Sequence, residues 1–134
     1  MITPEKLLML ETAAQEADGR KELRCQFAMA DLYKAADLLP GTLEIPNGPR
    51  DWSRSQGQSL IVEWLEKCPQ FVKVPAPAEP GDLIVFRLGH TPHHVAIQLG
   101  DGRLVHVFGD HGVKTAPCIP TPWAKRIDSI WRIA

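Results

Sequence analysis

Pro80-Gly81-Asp82-Leu83-Ile84-Val85-Phe86, then His94-Val95-Ala96-Ile97-Gln98-Leu99-Gly100 and Asp101-Gly102-Arg103-Leu104-Val105-His106, is the stretch on which the fold turns. Two short apolar runs flank the turn-forming Gly100-Asp101-Gly102 and read as a β-hairpin. Residues of one parity on a strand point to one face. A three-residue Gly100-Asp101-Gly102 loop sets Leu99 opposite Arg103 and Ala96 opposite His106. His94 and His106 are then diagonal neighbours on one face, roughly 7–8 Å apart at Cα. A two-residue Asp101-Gly102 turn would instead set Ile97 opposite His106 and divide the imidazoles between two faces. Only the longer loop, or a bulge, unites them.

Upstream of the hairpin the periodicity changes to helical. Thr3-Pro4-Glu5 reads as a cap, a proline in the first turn and an acid near the positive helix end. This helix is expected to run to about Ala17, with Asp18-Gly19 as its stop. A second helix is expected over residues 23–39, ended by Pro40-Gly41. Cys25, Met29, Leu32, Ala36 and Leu39 share one stripe of it, so Cys25 lies on the buried face in the first turn. Residues 41–56 read as irregular and 58–68 as a third helix, with Pro75 to Pro80 an extended connector. Strands are expected over 83–88, 95–99, 103–107, 112–116 and 127–133. Helices followed by an antiparallel meander make an α+β layout, expected as a single domain over 1–134.

The 134 residues suffice for one core. Fifteen basic against 16 acidic residues, with no basic block, argue against nucleic acid as a partner. No apolar run approaches the ~18 residues that would suggest a membrane span. Leu7-Leu8-Met9-Leu10 is bounded by charges, so no signal peptide is expected and the chain is expected to be cytoplasmic as synthesised. Three widely spaced cysteines form no CxxC, so neither a zinc ribbon nor a disulfide framework is suggested.

The chemistry-bearing residues are a cysteine and two histidines. A thiolate is the nucleophilic form of cysteine, and its pKa falls at a helix N-terminus or beside a histidine. Cys25 on an apolar stripe reads either as a small core residue or as such a nucleophile, more reactive than Cys68 or Cys118. In the second case His94 is the base and His106 orients its ring. His90, His93, His94, His106 and His111 also raise the question of a metal, but only Asp110 is nearby, so no metal or other cofactor is expected. Trp52, Arg87 and His93 are candidate substrate contacts. Trp52 also reads as a loop anchor and Arg87 as a solvated strand end, while His93 must face away from His94 in a regular strand.

These runs resemble the NlpC/P60 family of papain-like cell-wall cysteine peptidases. That family carries a PGDLVFF-like strand, an HVGIYLG-like strand bearing the base histidine, and a following strand that ends on a further histidine. Phe86-Arg87-Leu88-Gly89, His111-Gly112-Val113 and the run from Trp123 to Trp131-Arg132-Ile133 resemble its phage and prophage branch, whose members are tail-associated or lysis-related. The likeness covers about 23–133 and is strongest from Pro80 onward. It implies a papain-like fold and hydrolysis of an amide in the peptide stem of peptidoglycan, commonly between D-γ-glutamate and a diamino acid. Cys25 would attack the carbonyl, His94 would carry the proton to the leaving amine, and His106 would polarise His94. Peptidoglycan peptides and phage tail proteins are the implied partners, in a virion or at the cell wall. Two departures stand out. The family's Asp-Cys-Ser-Gly is here Arg24-Cys25-Gln26-Phe27, and its upstream oxyanion tyrosine has no counterpart, Tyr33 lying inside the helix after Cys25. They support a second expectation, a structural or binding module of a tail or prophage that lacks the chemistry. A third is acyl transfer to an acceptor other than water on the same scaffold.

Overall fold

The computed structural model describes residues 2–21, 25–45, 60–87, 92–107, 111–119 and 121–134; of residues 60, 92, 93 and 121 the backbone alone is described. Helix α1 spans Pro4–Glu16 and is capped as expected, Thr3 Oγ1 accepting from the Lys6 N–H at 3.2 Å. Helix α2 spans Cys25–Ala35 and ends before the expected residue 39; the expected start at residue 23 lies outside the described residues. It stops before Pro40 because Asp37 takes the left-handed conformation at φ 55. Leu38 N–H then donates back to Tyr33 O at 2.9 Å and Asp37 N–H to Lys34 O at 3.1 Å, a closing pattern that satisfies the last carbonyls without proline. Helix α3 spans Leu60–Lys67, and the expected start at residue 58 lies outside the described residues.

The strands are β1 (Phe71–Val74), β2 (Leu83–Arg87), β3 (Pro92–Gln98), β4 (Leu104–Val107), β5 (Val113–Ala116) and β6 (Ile127–Ile133), with a one-turn helix α4 (Thr121–Ala124) before the last. They form a six-stranded antiparallel sheet in the order β1-β6-β2-β3-β4-β5. The fold is α+β, as expected from the NlpC/P60 likeness. The meander is interrupted, however: β6 returns across the sheet to pair with β2, and β1 then adds outside β6. Strand β1 has no reading in the sequence, because four residues between prolines carry too little alternation. Its pairing with β6, Phe71 against Ile133, is a tertiary event.

Both faces of the sheet are covered, so its strands read as nearly continuous apolar runs. On one face Leu83, Val85, Val95, Ile97, Val105 and Trp131 pack with Leu10, Met29, Leu32 and Leu65 of the helices. On the other, Ile84, Phe86, Ala96 and Leu104 lie under Ile119, Trp123 and Ile127. Two polar ties fix the sheet, one to α2 and one between the entry of β2 and β6. Tyr33 O–H of α2 donates to Gly81 O at 2.8 Å, and the carboxylate of buried Asp82 accepts from Arg132 Nε at 2.8 Å and Nη2 at 2.9 Å.

The turn after α1 is sewn to β5. Gly19 N–H donates to Val113 O at 2.8 Å and Val113 N–H donates to Arg20 O at 3.0 Å. Gly112, at φ +74, passes so close that a Cβ there would stand 2.2 Å from Arg20 O. Gly112→Ala is therefore expected to lower stability by about 2 kcal/mol, since overpacking and left-handed strain act together. Urea unfolding checks this, and an unchanged midpoint would show that the seam gives way freely.

Candidate active site

The β3–β4 hairpin adopts the longer of the two loops. Gly100–Gly102 forms a 3-10 turn with Asp101 at φ 59, and Ala96 pairs with His106, Ile97 with Val105 and Gln98 with Leu104. This register places both imidazoles on the face of Ala96 and Leu104. His94 Nε2 lies 3.2 Å from His106 Nδ1, with the ring planes at 88°. One ring nitrogen must therefore carry the shared proton and the other accept it.

His106 is buried and its pKa is lowered from 6.5 by loss of hydration. A neutral His106 near pH 7 leaves its Nδ1 able to accept from a protonated His94. Acid reverses this: a protonated His106 has no acceptor to offer. The linkage has a definite sign. The unfolded chain takes up this proton near 6.5 and the folded chain only at lower pH, so stability falls as pH drops from 6.5 towards the folded value. An NMR titration of the His106 ring, facing His94, is expected to give a midpoint below 6.5; a midpoint above it would mean that the pair is stabilised in its charged form.

Spacing along the sequence gives Trp123 no place in the site. It sits over the pair, its ring centroid 5.1 Å from His94 and 5.3 Å from His106, and 5.4 Å from Phe86. Its indole shields the histidine–histidine bond from water and restricts rotation of both rings. No local pattern places Trp123 there, because the chain reaches the spot only by crossing the sheet through α4.

Cys25 is the first residue of α2, partly buried against the helix-side core. Its sulfur faces the backbone N–H groups of Val95, Cys25 and Gln26, which favour the thiolate. Burial outweighs them and pushes the thiol pKa above 9.0. The expected low pKa at a helix start is thus corrected: dehydration opposes the helix end and wins. The Val95 contact has a structural cause. Leu99 N–H donates across the hairpin to Arg103 O at 2.7 Å, so odd-numbered β3 amides face β4. The β3–β4 ladder ends at Ala96 and His106, and the next such amide, Val95, turns to the sulfur. Thiol and His94 thus reach β3 at successive residues, the thiol from the helix side and the imidazole on the opposite face, where β4 no longer lies between them.

The other site expectations meet the structure unevenly. Arg87 ends β2 and pairs with Asp128 of β6 at 2.8 Å. Trp52, His90 and Asp110 lie outside the described residues, and so does the side chain of His93. Tyr33 is spent on Gly81, with burial and the nearby Asp82 holding its hydroxyl protonated, and has no part in an oxyanion site. Among the described residues, no group of three or more His, Cys, Asp or Glu side chains is placed to hold a metal ion, and no helix is long and apolar enough to cross a membrane.

Comparison with known proteins agrees with this architecture. The chain is 34% identical over 104 residues to the tail tip assembly protein K of Escherichia phage lambda, covering 75% of this chain and 51% of that protein. Over 53 residues it is 36% identical to murein DD-endopeptidase MepS/murein LD-carboxypeptidase of Escherichia coli K12, covering 40% of this chain and 28% of that enzyme. The chain therefore spans about half the length of the first relative and less than a third of the second. The sequence profile of the NlpC/P60 family matches residues 29–132, a stretch that holds both histidines, Trp123 and the Asp82–Arg132 tie and begins just after Cys25. With most of its length under that profile, the chain belongs to the NlpC/P60 family.

Proposed function

We propose that this chain is a cysteine peptidase that hydrolyses an amide bond in the peptide stem of peptidoglycan, the bond between D-γ-glutamate and a diamino acid being the leading candidate. The observation that carries the reading is the bonded pair His94 and His106 on the strand that also presents an amide to Cys25. His94 Nε2 is engaged with His106, so Nδ1 is the nitrogen that exchanges a proton with the thiol. Cys25 Sγ gives its proton to His94 and bonds to the substrate carbonyl carbon. The tetrahedral intermediate collapses, His94 returns the proton to the departing amine, and water hydrolyses the thioester with His94 again as base. Backbone N–H groups around the sulfur take the part of oxyanion donors that a tyrosine would otherwise share. His106, neutral through burial, accepts from His94 while His94 is charged. Trp52, Arg87 and His93 remain the proposed substrate contacts.

The likeness to a tail tip assembly protein over three quarters of the chain favours a second reading, an assembly module of a phage tail, virion-associated and with phage tail proteins as partners. Mass spectrometry of peptides released from purified peptidoglycan, by wild type and by Cys25→Ala, separates the two. Release by the wild type alone supports the peptidase, and the fragment masses name the bond. No release from several wall types supports the assembly module.

A further inference from the structure

Beside the histidine pair, β2, α4 and the start of β6 enclose a groove lined by Arg87, Pro122, Lys125, Arg126, Ile127 and Asp128. Two backbone bonds fix its place. Arg126 N–H donates to Trp123 O at 2.8 Å, and Arg87 N–H donates to Arg126 O at 2.7 Å. The first ties the groove to the indole that packs on both imidazoles. The second ties it to β2 one residue beyond Phe86, whose ring lies 6.1 Å from that of His94.

The charge in this groove is unbalanced. Its three cations face one carboxylate, Asp128, which accepts from Arg87 at 2.8 Å and holds the guanidinium in a set direction. Among the described residues the exposed side chains of Lys125 and Arg126 have no ion-pair partner. Elsewhere Arg20 is matched to Asp31, Lys114 to Asp18 and Arg132 to Asp82. The surplus of positive charge here sits on a protein whose formal net charge is −1. Pro122 and Ile127 supply apolar walls, against which an attraction between opposite charges is stronger than in open water.

We infer that this groove is a subsite for a free carboxylate of a peptide whose scissile amide lies at the histidine pair, and that it makes the protein select acidic peptides over their carboxamides. The location of the scissile bond rests on the peptidase reading; the carboxylate preference does not. Lys125 and Arg126 supply the charge, and Arg87, held by Asp128, adds to the positive potential of the groove.

The test uses the stem tetrapeptide alanyl-γ-D-glutamyl-diaminopimelyl-D-alanine and its carboxamide form, titrated into Cys25→Ala protein and followed by 15N NMR. The acidic peptide is expected to shift the amides of residues 87 and 125–128 and to bind about tenfold tighter than the carboxamide, as one charge-assisted hydrogen bond would provide. That preference should shrink as salt is raised. The exposed double variant Lys125→Glu/Arg126→Glu is expected to lose it while keeping the thermal midpoint of the parent. Equal affinities, shifts confined elsewhere, a preference retained by the double variant, or no binding of either peptide would each overturn the subsite. Since Cys25→Ala has no thiol, this readout is independent of turnover. Carboxylate-selective binding without hydrolysis by the wild type leaves the subsite standing and overturns the peptidase reading. Hydrolysis without carboxylate preference does the reverse.

Discussion

Cys25→Ala and His94→Ala are each expected to lower peptide release from peptidoglycan by about 10⁴-fold or more, with the double variant no slower than either single one. Burial keeps Cys25 protonated, and three amides do not offset it, so the proton needs an acceptor. His94, one residue along β3 from the amide that faces the sulfur, is the proposed acceptor. Removing either partner removes the same step, which is why their effects do not add. His106→Ala is expected to cost less, because His94 keeps its base nitrogen and loses only the acceptor that fixes its ring. Trp123→Ala belongs with His106→Ala, since its indole holds the same bond. Single-turnover rates on a defined stem peptide decide the matter. If Cys25→Ala releases peptides at the wild-type rate, the thiol is a core residue and the Cys25 mechanism falls.

Asp82→Ala is expected to be the most destabilising single substitution of a polar residue, by about 3–5 kcal/mol. Asp82 is 1% exposed and accepts from two guanidinium nitrogens of Arg132 and from the Glu79 N–H at 2.8 Å. The same residue's backbone carbonyl accepts from Gln98 N–H at 2.9 Å, so its position sets the entry of β2 beside the hairpin. Truncation strands the Glu79 N–H and leaves Arg132 only Glu79, at 3.3 Å and half exposed. Asp82→Asn keeps one acceptor oxygen and should lose roughly half as much. Urea unfolding of both variants provides the check; a loss under about 1 kcal/mol for alanine would mean that water replaces the carboxylate without penalty.

Much of this was legible in the sequence, for reasons that differ from residue to residue. The α1 cap, the β3–β4 hairpin and the α+β order follow from local chemistry: a hydroxyl before a proline, glycines around an aspartate, and a change of apolar period. The pairing of Ala96 with His106 was one of two registers open from residues alone, and Asp101 in a left-handed turn settles it. The length of α2 was misread because Asp37 closes it by a backbone conformation that Pro40 only imitates in the sequence.

What the sequence determined by itself is thus the elements other than β1 and α4, the stripe that carries Cys25 and the two registers between which the hairpin had to choose, all consequences of spacing along one chain. Only the tertiary structure decided that β6 and β1 join the sheet beyond β2, that Trp123 covers the imidazole pair, and that the β3–β4 ladder ends where Val95 can face a thiol. It also decided the protonation of the site. A helix start predicts an acidic thiol and an exposed imidazole predicts a pKa near 6.5, but loss of water raised the first and lowered the second. Hydration depends on what the rest of the chain stacks around a group, and no spacing rule within a segment contains that information.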